Sequence, residues 1–204
     1  MPIYERFIGK HRDDYKTFEE LRSSIKFIYN DDFNFAYDVI DVLAKEQPDK
    51  TALVWLGNDG TEKIFSFDDI SRESDRAAKY FASLGIKKGD SVLLVLRRHY
   101  LFWFCILALH KIGAIAVQAT HMLKAKDYVY RCNKAKIKYA IITGDDNCTE
   151  YFDDRKDEYE TIEKKFVTKH KAVEGWIDFE EGFEKASEEW TRPTGAAATT
   201  VDDT

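Results

Sequence analysis

The sequence has 204 residues, 44% of them apolar, which is enough for a domain with a substantial hydrophobic core. Its 31 basic and 37 acidic residues give a net charge of −6, which excludes a surface generally suited to nucleic acid. The longest apolar run, 101–109, is about half of the ~20 residues that a membrane-spanning helix needs, and the N-terminus has charges where a signal peptide is apolar. We therefore expect a cytoplasmic protein with no nucleic-acid partner and no membrane span.

Two helices are predicted before the first strand. Thr17 followed by Glu20 has the spacing of a capping box, and apolar residues at 18, 21, 25 and 28 then fall on one helical face. A second helix begins after Asn34 and has to end before Pro48, which has no backbone N–H to donate. The first of these helices is predicted to be amphipathic.

A β-hairpin and a long helix follow. The runs 51–57 and 62–67 are rich in strand-forming residues, and the Asp59-Gly60 step between them suits a tight turn. Ser66 is placed to cap a helix with acidic residues in its first turn. That helix is predicted to stop at Gly85.

The middle of the chain alternates strands and helices. The run 91–96 is apolar without alternation, which is typical of a strand buried on both faces of a parallel sheet. An apolar helix ending at Gly113, a short strand at 114–119, a helix at 126–136 and a strand at 138–143 follow. This order predicts an α/β fold with a mostly parallel sheet flanked by helices and preceded by helices and the hairpin.

The last third of the chain has weaker patterns. Residues 145–165 are predominantly charged and predict a surface connection or a solvated helix. One more strand is predicted within 164–173, and a helix within 176–190, which Gly182 weakens by about 1 kcal/mol relative to alanine. Small and hydroxylated residues dominate 191–204, which composition alone interprets as a tail.

The cysteines and histidines do not form a metal-site pattern. The three cysteines are odd in number and widely spaced, which predicts free thiols rather than disulfides. Three histidines recur every eleven residues, which would align them on one helix, but a glycine and a predicted strand interrupt that helix. We predict no metal site. The residues concerned are Cys105, Cys132, Cys148, His99, His110 and His121.

Arginines after the first buried strand are the candidate binding residues. No GxGxxG and no GxxxxGK[ST] occurs, which argues against dinucleotide-binding and P-loop cradles. Arg97 and Arg98 follow the strand at its carboxyl end, where open α/β sheets bind ligands and where guanidinium groups could meet phosphates. The alternative is that they only keep an apolar unit soluble. A second basic stretch is predicted to be a solvated helix face: Lys124, Lys126, Arg131, Lys134, Lys136 and Lys138.

Three segments occur in a specific order and spacing: "FSFDDI" at 65–70, "GIKKGDSV" at 85–92 and "LALHKIGAIAV" at 107–117. With their surroundings, 33–143, they resemble the N-terminal part of AMP-forming acyl-CoA synthetases of the adenylate-forming superfamily. Within that superfamily, they are most similar to the medium-chain and acetyl-CoA synthetase-like group.

The resemblance implies an acid–thiol ligase that activates acetate or a fatty acid as an acyl-adenylate and transfers it to coenzyme A. Its cofactors would be ATP, coenzyme A and Mg²⁺. The family's T-S-G-[ST]-T-G-x-P-K phosphate loop and later motifs are absent from the 204 residues. We therefore expect an N-terminal part that is inactive alone, has no catalytic residue and binds no cofactor tightly, with Arg98 and Arg97 as coenzyme A or phosphate contacts.

The same resemblance divides the chain into a helical extension at 1–32, a partial adenylation domain at 33–190 and a linker at 191–204 toward the absent phosphate loop. It implies a mobile linker without packing partners. A non-catalytic, synthetase-like interaction or regulatory module is the alternative from another class, and an unrelated α/β nucleotide-binding domain is a third. The oligomeric state stays open.

Overall fold

A computed structural model describes residues 3–203, apart from the side chain of Arg12. Helix α1, Phe18–Ser24, starts as predicted, because the Thr17 hydroxyl accepts a hydrogen bond of 3.1 Å from the Glu20 amide. The predicted amphipathic face is wrong, since Phe18 is 69% exposed and the helix ends before Ile28. The chain leaves the helix because residues 26–28 extend and pair with 7–9 through two backbone hydrogen bonds.

The next elements match the predicted helix, hairpin and long helix. A π-helical turn, Ala36–Ile40, continues into α2, Asp41–Glu46. Strands β1, Thr51–Leu56, and β2, Glu62–Ser66, form an antiparallel hairpin. Helix α3, Phe67–Ser83, starts at a capping box between Ser66 and Asp69.

A five-stranded parallel sheet forms the centre of the protein, in the order β4-β3-β5-β6-β7. The α/β prediction is therefore confirmed. No helix described between residues 3 and 203 is long and apolar enough to cross a membrane. The elements are β3 Ser91–Val95, α4 Leu101–Ile112, β4 Ile115–Gln118, α5 Ala125–Lys134, β5 Ile137–Ile142, α6 Cys148–Asp153, β6 Lys164–Val167, β7 Ile177–Asp178 and α7 Phe179–Glu184.

Hydrophobic cores cover both faces of this sheet. Val92 and Leu94 of β3 point into a core formed with α3, α4 and α7, whereas Leu93 and Val95 point into a second core formed with α5 and α6. All five residues of β3 are buried, which explains why this strand lacks alternation in the sequence.

Two predictions in the last third need correction. The segment 145–165 is not wholly solvated, because Cys148 and Phe152 of α6 are buried in the second core. The predicted helix at 176–190 is shortened to α7, since Trp176 precedes β7 and packs against Phe152 with ring centroids 5.4 Å apart.

The prediction that 191–204 lacks packing partners is wrong at Arg192, which forms an ion pair of 3.0 Å with Asp38, and within 198–203. Thr199 is buried, and its hydroxyl accepts a hydrogen bond of 2.9 Å from the Asn34 side-chain amide. Lys88 donates to the Ala198 carbonyl at 2.6 Å and forms an ion pair of 2.8 Å with Asp203. These contacts hold the segment against the beginning of the domain.

Candidate functional site

The connections that follow the neighbouring strands β3 and β5 lead toward opposite edges of the sheet. After β3, the chain passes through α4 to β4 on one side, whereas after β5 it passes through α6 to β6 on the other. Because β3 and β5 are neighbours, the loops that follow their carboxyl ends diverge and leave a crevice between them. Open parallel sheets bind ligands at such a topological switch point.

A cleft of about 620 Å³ opens at this point, and we call it the switch cleft. Its walls come from the loops that follow β3, β4, β5 and β6 and from the turn of the β1–β2 hairpin. The structure therefore brings Arg97 and Arg98 together into one candidate site. The lining residues are Trp55, Leu56, Gly57, Asn58, Asp59, Arg97, Arg98, His99, His121, Asp145 and Lys169.

Left-handed backbone conformations concentrate around the switch cleft. Among residues 3–203, six residues other than glycine have positive φ, and five of them follow the carboxyl ends of β3, β5 and β6. Such conformations are costly for residues with a Cβ and cluster at functional sites. The five are Arg97, Arg98, Asp146, Lys169 and His170.

Acidic partners largely neutralise Arg97. Its Nη1 atom lies 2.9 Å from an oxygen of Asp146 and 3.9 Å from one of Asp145. Lys169 lies 2.6 Å from Asp145 and completes this network across the loops after β3, β5 and β6. Burial opposes ionisation of Asp145, but its hydrogen bond with Lys169 and the charges of Lys169 and Arg97 outweigh burial, so its pKa is lowered.

The side chain of Arg98 is exposed at the same cleft and forms no ion pair with any residue of the described range 3–203. Its backbone carbonyl accepts a hydrogen bond of 2.8 Å from the indole N–H of Trp55. A guanidinium without a carboxylate partner is available for a phosphate or carboxylate of a ligand. Arg98 is therefore a better candidate than Arg97 for binding an anion.

Aromatic rings form one wall of the cleft. The Trp55 ring lies edge-on to His99, with centroids 5.6 Å apart, and His99 lies 4.2 Å from Tyr100. Burial, assisted by the charges of Lys169 and Lys63, lowers the pKa of His99 to about 4. His99 is therefore uncharged at neutral pH and contributes a flat, neutral surface.

Sequence reasoning did not identify Trp55, Asp145 and Lys169 as site residues. Their common signal is position, because Asp145 and Lys169 follow predicted strands and Trp55 precedes the predicted hairpin turn. The prediction for the second basic stretch is confirmed: on and beside α5, five of its six residues are exposed. His110 lies away from the switch cleft, in a separate cavity of about 660 Å³ beside the edge strand β4.

A comparison with known protein families shows to which family this chain belongs. The family model described as "AMP-binding enzyme" matches residues 40–203. The chain belongs to the AMP-binding enzyme family. The predicted resemblance to this superfamily is therefore confirmed, and the switch cleft lies within the matched part.

Relatives in the AMP-binding family include acyl-CoA synthetases. The chain is 31% identical over 163 residues to the mitochondrial acyl-coenzyme A synthetase ACSM5 of Rattus norvegicus, covering 77% of this chain and 28% of the relative. It is 33% identical over 162 residues to ACSM2A of Homo sapiens, also named mitochondrial, covering 76% and 28%. The chain thus spans less than a third of the length of these relatives.

Solved structures share the AMP-binding fold at low sequence identity. The anthranilate CoA ligase AuaEII, in complex with anthranoyl-AMP, has a TM-score of 0.69 and 20% identity over 86% of this chain and 32% of that one. A Mycobacterium tuberculosis fatty acyl CoA synthetase also has a TM-score of 0.69, with 20% identity over 83% and 31%. These similarities confirm the fold.

Proposed function

We propose that this chain is the N-terminal part of an AMP-forming acyl-CoA synthetase and that its switch cleft binds a phosphate of coenzyme A. The observation that carries the proposal is that Arg98, which forms no ion pair within residues 3–203, lies at the topological switch point of an AMP-binding fold. The names of the relatives support the reaction class. The division at 1–32, 33–190 and 191–204 is part of this proposal, and the cytoplasmic location stays a prediction.

The proposed reaction has two displacements. A carboxylate oxygen of the acid attacks the α-phosphorus of ATP, the bond to the β-phosphate oxygen breaks, and pyrophosphate leaves. The thiol of coenzyme A then attacks the acyl carbon, loses its proton, and AMP leaves with the bonding electrons. The 204 residues contain no glycine-rich phosphate loop, so they do not fit ATP–Mg²⁺, and we assign no residue of this chain to the first step.

The residues of the switch cleft fit the second substrate better. Arg98 would donate to a phosphate oxygen, because a guanidinium presents several N–H groups in one plane. Arg97 would hold the loop after β3 through Asp145 and Asp146 rather than contact the ligand. The neutral His99 ring beside Arg98 would add an apolar contact without competing for the anion.

A titration of the isotope-labelled chain with coenzyme A, followed by NMR, tests the site. We expect weak binding, with shift changes at 97–99, Asp145 and Lys169. Arg98→Ala should weaken binding about tenfold, the scale of one lost charge-assisted hydrogen bond. Arg131→Ala is the control, since Arg131 is an exposed arginine on α5 outside the cleft. Equal affinities of the two variants would contradict the assignment of Arg98.

Activity tests the wider proposal. The 204-residue chain should catalyse no carboxylate-dependent ATP–pyrophosphate exchange. The protein expressed from the complete reading frame should catalyse it, and Arg98→Ala in that protein should raise the KM for coenzyme A while exchange stays unchanged. Exchange by the 204 residues would overturn the expected inactivity. Its absence from the complete protein would favour the non-catalytic module.

A further inference from the structure

We propose that the β1–β2 hairpin positions the anion-binding arginine of the switch cleft, with Trp55 as the positioning residue for Arg98. The inference rests on the proposed function, because it concerns the same site. It assigns a role to a hairpin that forms a separate two-stranded sheet beside the parallel sheet.

The hairpin contacts the loop after β3 at residues whose backbone conformation is strained. Arg97 and Arg98 have φ values of 38° and 57°, in the left-handed region that residues with a Cβ rarely adopt. The Trp55 indole N–H donates to the carbonyl of Arg98 at 2.8 Å, at the end of this turn. A single hydrogen bond from a rigid side chain thus stabilises the conformation that directs Arg98 toward the cleft.

Trp55 is itself held from two sides. A Cβ at Gly57 would lie 2.9 Å from the indole Cη2 atom, so only glycine lets the hairpin backbone approach the ring this closely. On the other side, the ring centroid lies 5.2 Å from that of Tyr100. Tyr100 is fixed in turn by Lys63, which pairs with Trp55 across the hairpin and donates to the Tyr100 hydroxyl at 2.9 Å.

The two neighbouring arginines therefore depend on different supports. Arg97 is anchored by Asp145 and Asp146, which belong to the loop after β5. Arg98 forms no ion pair within residues 3–203, and its backbone bond to Trp55 is its contact with the hairpin. Loss of the indole N–H should consequently disturb Arg98 and leave the carboxylate network of Arg97 in place.

The loop conformation is tested without any ligand. In Trp55→Phe, which keeps an aromatic ring but loses the N–H, the backbone chemical shifts of Arg98 should leave the left-handed range, and trypsin should cleave after Arg97 and Arg98 several-fold faster than in the wild type. Trp103→Phe is the matched control, because Trp103 lies on α4 and is 49% exposed. Unchanged shifts and cleavage in Trp55→Phe would overturn the proposal.

A measurement on the wild-type chain covers the case in which Trp55→Phe does not fold. The Trp55 indole N–H should exchange with solvent more slowly than that of Trp103 and should shift when coenzyme A is added. Equal exchange rates would contradict a lasting hydrogen bond to Arg98.

A double-mutant cycle then tests whether Trp55 acts through Arg98. Trp55→Phe should weaken coenzyme A binding several-fold in the wild-type background and have no further effect in Arg98→Ala. Additive losses would show that Trp55 acts independently of Arg98 and would overturn the positioning role. If the wild-type chain shows no coenzyme A binding, the proposed function of the site fails, while the loop measurements still decide the conformational role of Trp55.

Discussion

Lys111 is a fully buried charge. Its side chain is 0% exposed, and its ammonium group lies 2.9 Å from Asp41 and 2.6 Å from Asp75. Burial raises the pKa of Asp75, although Lys111 opposes the shift. The three side chains join the helices α2, α3 and α4 at one point, so each charge depends on the other two.

Removing the Lys111 charge should destabilise the fold. In Lys111→Met, two partly exposed carboxylates lose their counterion, so we expect a loss of about 2–3 kcal/mol, somewhat below the range for a wholly buried pair. Urea unfolding measures the change. Lys185→Met removes an exposed pair with Glu181 and should cost under about 0.5 kcal/mol. Similar losses in both variants would contradict this account of Lys111.

Glu180 is a second buried ionisable group, and no side chain of opposite charge pairs with it within residues 3–203. One of its oxygens accepts a hydrogen bond of 2.7 Å from the Lys169 amide, whereas the other is buried and has no partner among residues 3–203. Burial raises the pKa of Glu180. Between the usual glutamate pKa of about 4.3 and the higher pKa of the folded state, the folded protein binds more protons than the unfolded chain, so stability falls as pH rises through this interval.

Glu180→Gln should remove this pH dependence. The variant keeps an acceptor for Lys169 but carries no charge, so its stability relative to the wild type should increase between pH 4.5 and 7, by roughly 1 kcal/mol, the scale of an uncompensated buried polar group. Urea unfolding at several pH values measures the difference. Glu189→Gln, at an exposed position, is the control. A constant difference across this range would count against the proposed role of Glu180.

The residues that line the switch cleft could be predicted from the sequence only in part. The position of Arg97 and Arg98 in this cleft was predictable because they follow a buried strand, and their role in binding stays a proposal. The sequence does not separate them, since their roles depend on Asp145 and Asp146, which lie nearly fifty residues further along the chain. Trp55 was not predictable either, because its hydrogen bond to Arg98 spans 43 residues.

At the scale of elements, α7 shows how packing overrides helix propensity. Gly182 lies inside this helix, where glycine is unfavourable relative to alanine. A Cβ at this position would overlap the phenol ring of Tyr80 on α3. Glycine therefore permits α7 to approach α3 closely, and the helix is stabilised by its packing.

Gly182→Ala should destabilise the protein in spite of the better helix propensity. The overlap with Tyr80 costs about 1–3 kcal/mol, which exceeds the gain of about 1 kcal/mol from propensity. Chemical denaturation measures the result. Gly9→Ala is the control, because its Cβ would meet atoms no closer than 3.7 Å. If Gly182→Ala were more stable than the wild type, the close approach would not explain this glycine.

Elements with strong local signals were predicted well. The hairpin, α3 and the strands β3 to β5 follow from capping residues, a turn glycine and short apolar runs. The predictions failed where partners distant in the chain decide the structure. The opening helix stops early because residues 26–28 pair with 7–9. The helix predicted at 176–190 begins only at Phe179, because Trp176 packs against Phe152 in the second core.

At the scale of the whole molecule, the strand order explains where the switch cleft forms. Alternating strands and helices predicted a parallel sheet, but no local pattern places β3 between β4 and β5. That order creates the crevice that holds Arg98. The packing of 198–203 was likewise unpredictable, because its partners Asn34 and Lys88 lie more than a hundred residues earlier.

The contact between Asn34 and Thr199 also has a consequence for the order in which the protein is made. Asn34 leaves the ribosome early, yet its side-chain amide bonds to the carbonyl of His110, 76 residues later, and to Thr199, 165 residues later. During synthesis this buried amide stays hydrated until both partners have emerged. The hydrogen bonds of this amide are therefore complete only after the segment around Thr199 has packed against Asn34.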